Sequence, residues 1–204
     1  MSEMNMWQIE QKFFDNGANI ICGVDEAGRG PLAGPVCAAA VILPAGLVID
    51  GLNDSKKLSD KRRRELFPII KASAIAYGIA FATEQEIDEL NILQATFLAM
   101  ERALEQLPVT PDLTLIDGNR SKDFGIPVET VVHGDSLSAN IAAASVLAKV
   151  TRDDHMLAMA QKYPDYGFEV HKGYGTKAHC AAILANGLCP IHRTSFLKKL
   201  YGQK

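Results

Sequence analysis

The stretch Ile20-Ile21-Cys22-Gly23-Val24-Asp25-Glu26-Ala27-Gly28-Arg29-Gly30 is an apolar run that ends on two adjacent carboxylates and a glycine-flanked arginine. Ile20–Val24 reads as a buried strand, and Asp25 and Glu26 stand at its C-terminal end. Adjacent carboxylates repel each other unless a cation or a proton intervenes. Carboxylates without a neighbouring His or thiolate select hard, oxygen-seeking cations such as Mg²⁺ or Mn²⁺. Arg29 between glycines suits a phosphate or a nucleic-acid backbone. The stretch therefore points to a metal-dependent enzyme acting on phosphodiesters.

Working outward, Val36–Leu43 reads as a second strand, joined to the first by a Gly/Pro-rich connection. Ser59 is placed to cap a basic helix over Asp60–Lys71, which Pro68 is expected to break or kink. Ala74–Ala82 reads as a third strand. Glu84–Leu107 reads as a helical region that divides near Asn91. Leu113–Ile116 and Val128–Val132 are short strands ending near Asp117 and His133-Gly134-Asp135. Ser138–Tyr163 is a long Ala-rich helix, and Ala178–Asn186 a shorter one that Gly187 can cap. This order predicts an α/β domain with a mixed five-stranded sheet and helices on both faces. A single domain over residues 1–204 is expected, with 164–204 a small helical C-terminal appendage expected to contact substrate. Asp25, Asp117 and Asp135 all fall at or just beyond strand C-termini, where such sheets bind ligands.

If Asp25, Glu26, Asp117 and Asp135 converge, their repulsion calls for divalent cations. Two ions about 3.5–4 Å apart would serve an in-line displacement at phosphorus. Neighbours on a straight strand face opposite ways, so Asp25 and Glu26 share a site only if the strand bends or ends between them. Singly, Asp117 before Gly118-Asn119 fits a turn, and Asp135 fits a helix start. The glycine spacing Gly28-x-Gly30-x-x-x-Gly34 is one residue too long for a dinucleotide loop, and its two acids would repel a pyrophosphate.

Composition narrows the field further. The 204 residues are 48% hydrophobic and 22% charged, with a net charge of −3. These values fit a globular protein without a general basic coat, though they leave room for a local basic groove. No apolar run approaches the roughly 20 residues that span a bilayer. Met1–Asn19 lacks the pattern of a leader peptide, and a cytoplasmic location is expected. Cys22, Cys37, Cys180 and Cys189 form no C-x-x-C pair and read as free, mostly buried thiols.

The chain resembles the type 2 ribonucleases H (ribonuclease HII) in a series of blocks. Asp25-Glu26-Ala27-Gly28-Arg29-Gly30-Pro31-Leu32-Ala33-Gly34-Pro35-Val36 is followed by Asp54-Ser55-Lys56-Lys57-Leu58-Ser59, Ile116-Asp117-Gly118 and Gly134-Asp135-Ser136. Ala143–Asp153, Tyr166-Gly167-Phe168, His171-Lys172-Gly173-Tyr174-Gly175-Thr176 and His192–Phe196 complete it, in the family's order. The resemblance implies a ribonuclease H-like fold and two Mn²⁺ or Mg²⁺ ions held by Asp25, Glu26, Asp117 and Asp135. It implies cleavage of RNA in RNA–DNA hybrids, and nicking 5′ of ribonucleotides embedded in duplex DNA, leaving 3′-hydroxyl and 5′-phosphate ends. Gly28, Arg29 and Gly30 would meet the ribose 2′-hydroxyl and backbone, and Tyr174 would stack at the RNA–DNA junction. Physics agrees: backbone exposed by glycine can reach a 2′-hydroxyl, the group that separates ribose from deoxyribose.

Lys56 is a candidate phosphate contact, equally readable with Lys57 as a solvated charge run. Lys149 faces the same choice between substrate and a salt bridge. Lys61-Arg62-Arg63-Arg64 reads first as a solvated helix face. His171 and His192 lack metal-ligand spacing and read as structural or phosphate-contacting. Beyond Phe196 no clamp-docking motif is evident, and a monomer without a protein partner is expected. A junction resolvase of the same fold and a non-catalytic hybrid-binding module are the competing readings.

Overall fold

The computed structural model describes residues 6–198. The opening of the segment read as lacking a leader (1–5) lies outside the described residues. So does most of the stretch read as lacking a clamp-docking motif (199–204). Helix α1 (Gln8–Phe14) precedes a sheet of β1 (Ile21–Ala27), β2 (Val36–Ile42), β3 (Ala76–Ala82), β4 (Leu113–Asp117) and β5 (Val128–Val131). The strand order is β3-β2-β1-β4-β5. β1 pairs antiparallel with β2, and β2 with β3, whereas β4 runs parallel to β1 and β5 parallel to β4. The mixed five-stranded sheet expected from the sequence is present.

Strand alternation sends apolar side chains to both faces, so the sheet is covered on both. Ala38, Ala40, Ile42, Cys22, Val24 and Ile116 join Ala95, Phe97, Ala99 and Met100 of α4 (Ile92–Leu104). Cys37, Ala39 and Val41 face the opposite way, against Ala143, Val146, Leu147 and Val150 of α5 (Ala139–Lys162) and against α2 (Asp60–Ser73). Each large side chain fully buried this way contributes about 1.5–3 kcal/mol. α5 lies unusually close to β1 because Gly23 has no side chain. A Cβ there would sit 2.2 Å from the Asn140 carbonyl carbon and 2.3 Å from the Ile141 nitrogen.

Two boundaries depart from expectation. Pro68 neither breaks nor ends α2, which runs to Ser73. Pro68 is exposed, so the carbonyl it leaves without a donor is on the side where water can satisfy it. β1 does not stop at Val24 but continues through Asp25 and Glu26 to Ala27, in register with β2. The helical region over 84–107 divides at Asn91, where α3 (Glu84–Leu90) meets α4, as read. α1 was not foreseen. Its one buried residue is Glu10, which accepts hydrogen bonds from Ser138 Oγ (2.6 Å), Asn140 N (3.2 Å) and Asn140 Nδ2 (3.1 Å). The chain's start thereby holds the N-terminus of α5.

After α5 come α6 (Phe168–His171) and α7 (Lys177–Asn186), which close on a separate core of Ala33, Met156, Tyr166, Phe168, Ile183 and Ile191. His171, His179 and His192 are buried within it. Cys22, Cys37 and Cys189 are buried free thiols, and Cys180 is partly exposed. Among the described residues no helix is long and apolar enough to cross a membrane.

Gly23→Ala is expected to cost about 3 kcal/mol, because helix and strand must part to admit one methyl group. For a chain of this size that lowers the thermal midpoint by roughly 10 °C, readable by calorimetry. A second expectation concerns pH. Burial pushes His179 down to about 4 and also lowers His192. In the unfolded chain both titrate near 6.5, so the unfolded state takes up protons first as pH falls. Their contribution is complete above pH 6.5 and is lost as pH falls toward about 4, by up to about 3 kcal/mol for His179. The urea midpoint should decline already between pH 6.5 and 5, and His179→Asn should flatten that decline.

Candidate active site

The three aspartates come from three separate elements. Asp25 ends the run of β1 that faces α5, Asp117 closes β4, and Asp135 sits in the single turn Gly134–Ser136 before α5. Extending the parallel register Gly23↔Leu115 and Val24↔Ile116 by one residue sets Asp25 beside Asp117 on the same face. One carboxylate oxygen from each of Asp25, Asp117 and Asp135 lies within 4.8 Å of the others.

The surroundings fix these groups. Asp117 Oδ1 accepts from Gly134 N at 2.7 Å. A Cβ at Gly134 would meet Ile141 Cδ1 at 2.6 Å, so glycine lets the turn to Asp135 pack closely on that side chain. Ser145 of α5 donates to Asp25, and Ser145 Oγ lies 2.7 Å from Ser55 Oγ. Burial, then the charges of Glu26 and Asp117, push Asp25 well above the usual carboxylate range. Asp135 is raised by burial and by Asp117. Such a set is poorly satisfied by protein alone and matches the all-oxygen shell of Mg²⁺ or Mn²⁺.

Glu26 stands apart from this triad. Because β1 continues past it, its side chain turns to the α4 face, where Arg29 Nη1 contacts Glu26 Oε1 at 3.1 Å. Glu26, Arg29, Asp117 and Arg120 line a small cavity of about 100 Å³ floored by Phe97 and Met100 of α4. Its carboxyl is raised by burial, against the opposing pull of Arg29. Lys56 Nζ reaches Asp135 Oδ2 at 3.3 Å while most of its side chain stays exposed. It belongs to the acidic site, not to a detached charge run.

The loop after β1 is held from beneath by two buried arginines. Arg193 donates to Gly34 O (2.8 Å), Arg29 O (2.9 Å) and Gly28 O (2.6 Å). Arg152 donates to Pro35 O (3.0 Å), Ala33 O (3.2 Å) and Lys172 O (3.1 Å). In a trans peptide the N–H points opposite to the carbonyl before it. With the Gly28 and Arg29 carbonyls drawn onto Arg193, the Arg29 and Gly30 N–H groups point away from it, free to donate to a ligand. A Cβ at Gly30 would lie 3.7 Å from Tyr174 Cε1, and the Arg152 guanidinium is 5.9 Å from the Tyr174 ring centroid. Loop and tyrosine thus form one surface. Neither arginine carried a role in the sequence reading, although both lie in the blocks quoted above.

Other candidates resolve differently. Lys149 bonds Asp153 at 2.8 Å, the salt-bridge alternative. Arg62 pairs with Asp50 and Glu65, and Arg64 with Asp60 and Asp154. Arg63 donates to the Ser55 and Leu58 carbonyls. Among the described residues no metal-ligand cluster forms around His171 and His192.

The family model described as Ribonuclease HII matches residues 22–199. A ribonuclease HII of Endomicrobium trichonymphae is 56% identical over 194 residues, covering 94% of this chain and 92% of that protein. The crystal structure of ribonuclease H2 from Pyrococcus horikoshii OT3 superposes with a TM-score of 0.76 at 25% identity, covering 90% of this chain and 98% of that one. Bst-RNase HIII, solved in complex with Mn²⁺, shares the fold at a TM-score of 0.71 and 20% identity, over 91% of this chain and 70% of that one. With an acidic triad at the strand ends and a matched family model over nearly its whole length, the chain belongs to the ribonuclease HII family, metal-dependent endonucleases that hydrolyse RNA in RNA–DNA hybrids.

Proposed function

We propose that this enzyme cuts the RNA strand of hybrids and also nicks 5′ of ribonucleotides embedded in duplex DNA, with Asp25, Glu26, Asp117 and Asp135 holding two Mn²⁺ or Mg²⁺ ions. The observation that carries this reading is the convergence of Asp25, Asp117 and Asp135 beside a loop whose outward N–H groups adjoin Tyr174. The Mn²⁺ complex of Bst-RNase HIII is in keeping with the choice of metal. Bound divalent ions supply the Lewis acidity for in-line hydrolysis. A water oxygen bonds to phosphorus, the P–O3′ bond breaks, and the proton released ends on a 3′-hydroxyl opposite a 5′-phosphate.

In this scheme Asp25, Asp117 and Asp135 would hold the divalent cations, and Glu26, on the neighbouring face of β1, would complete their surroundings. The Arg29 and Gly30 N–H groups would donate to the ribose 2′-hydroxyl, a contact deoxyribose cannot complete, and to the adjoining phosphate. Arg29, half exposed on Glu26, is placed to fork onto a phosphate oxygen. Lys56, whose exposed ammonium pairs with Asp135, can turn to phosphate once cations occupy the acids. Tyr174 stacks on the deoxyribose side of the cut. A groove of about 620 Å³ runs beside Tyr174, lined by Arg63, Arg64, Lys149 and Lys172 with Asp60 and Asp153 among them, and offers the duplex a path between α2, α5 and residues 170–174 in the C-terminal part. We read the whole chain as one catalytic domain, a monomer working in the cytoplasm, with that C-terminal part as its substrate-contacting appendage.

Incision of a duplex containing one ribonucleotide, followed on a denaturing gel in Mn²⁺, tests the reading. EDTA should abolish cutting, and Asp117→Asn should lower kcat by at least about 10³-fold, roughly 4 kcal/mol of transition-state stabilisation. Cutting that survives chelation, or an equal rate on an all-DNA duplex, would overturn it. Tyr174→Ala should lower kcat/KM about tenfold, the worth of one stacked ring.

A further inference from the structure

Tyr174 is 44% exposed, yet the main chain around it is engaged in hydrogen bonds. Tyr174 N donates to His171 O at 2.9 Å, Gly173 O accepts from Leu32 N at 2.8 Å, and Tyr174 O accepts from Thr176 N at 2.8 Å. The remaining bonds come from imidazoles. Gly173 N donates to His171 Nδ1 at 3.2 Å, and His179 Nδ1 lies 3.0 Å from Tyr174 O.

Their tautomers follow by elimination. Tyr174 O can only accept, so His179 Nδ1 carries the proton and, in a neutral ring, Nε2 is bare. His192 Nε2 stands 3.1 Å from that bare nitrogen and must therefore bring the proton between them. His192 Nδ1 is then an acceptor for Cys189 N at 2.9 Å, with Cys189 Sγ at 3.1 Å able to donate as well, and its 3.2 Å approach to Cys189 O carries no proton in this tautomer. His171 Nδ1 accepts from Gly173, so its proton sits on Nε2, which donates to Tyr166 O at 2.8 Å. The His171 and His179 rings stack at 4.4 Å and 17°. Burial depresses His179 and His192, in agreement with neutral rings. A hydrogen-bond chain of one polarity runs from Cys189 through His192 and His179 and ends on the Tyr174 carbonyl.

We propose that this buried histidine chain orients Tyr174, making His179 and His171 positioning residues for the recognition of the RNA–DNA junction. Its function rests on the stacking role given to Tyr174 above. Imidazole suits the task because one planar group donates at one nitrogen and accepts at the other. That passes direction through a core where a charged donor would be costly. Nothing in the chain touches substrate. It acts through the main chain of 173–174 alone.

The test compares His179→Asn, whose amide N–H can replace Nδ1–H, with His179→Leu, which fills the space without a donor. Both leave His192 Nε2 without its partner, so the difference between them isolates the bond to Tyr174 O. On the single-ribonucleotide duplex in Mn²⁺, His179→Leu should lose about tenfold in kcat/KM, while His179→Asn stays within about threefold of wild type. In a Tyr174→Ala background the Leu substitution should add nothing. Equal losses for Asn and Leu, or a Leu loss that persists undiminished in that background, overturn the inference. A Tyr174→Ala enzyme of wild-type turnover overturns the stacking reading itself, and this inference with it. Should the Leu variant not fold, ¹⁵N NMR of the wild-type imidazoles decides. Nδ1–H at His179 with Nε2–H at His171 and His192 supports the chain, and Nε2–H at His179 refutes it.

Discussion

Two guanidinium groups, Arg152 and Arg193, are sunk beneath the loop that follows β1, and between them they hold six main-chain carbonyls. Neither forms an ion pair among the described residues. Burial, with the charge of Arg152, pushes Arg193 down to about 9, and burial lowers Arg152 as well. Glu84 is the acid whose charge both feel. Placing two cations in the interior is costly unless their donors are satisfied, and carbonyls do that here. The reward is a loop of otherwise irregular backbone with its polarity set: oxygens inward, N–H groups outward.

That constraint links the chemistry to its neighbours. The acidic triad is built on the sheet and the turn before α5, and the surface proposed to recognise ribose on a loop held by the two arginines. Arg152 joins the two, since α5 also supplies Ser145 to Asp25 and packs against Gly23. A shift of α5 would therefore disturb the acids and the loop together. The glycines belong to the same design. Gly28 adopts φ +96, and a Cβ there would strike Arg152 at 1.9 Å. Gly173 leaves room for the Ala33 carbonyl at 2.4 Å.

Much of this was legible in the sequence, because strands, the long Ala-rich helix and acids at strand ends follow from periodicity and residue type. The sheet faces and the Asp25–Asp117–Asp135 convergence needed no more than that. What escaped has physical reasons. Asp25 and Glu26 suggest the end of a strand, since carboxylates are poor strand formers. The backbone pairing with β2 nevertheless carries β1 through both and sends them to opposite faces. α1 hides its inward face because the buried residue is Glu10, which no apolar pattern reveals. Arg152 and Arg193 look like surface residues, because a buried cation satisfied by carbonyls 20 to 165 positions away leaves no local trace. Lys56 was ambiguous for the opposite reason: its exposure is real, and only the fold brings Asp135 to it.

The span of the Arg193 clamp also bears on the order in which the enzyme comes into being. Gly28 and Arg193 are 165 positions apart, and every residue of the acidic triad precedes the second by a wide margin. As the chain is synthesised, the strands and α5 that assemble the acids emerge before the arginine that shapes the recognition loop. The acids able to hold metal thus emerge well ahead of the arginine that sets the polarity of the neighbouring loop. On the function proposed above, that later clamp is what would let the acidic centre distinguish ribose from deoxyribose.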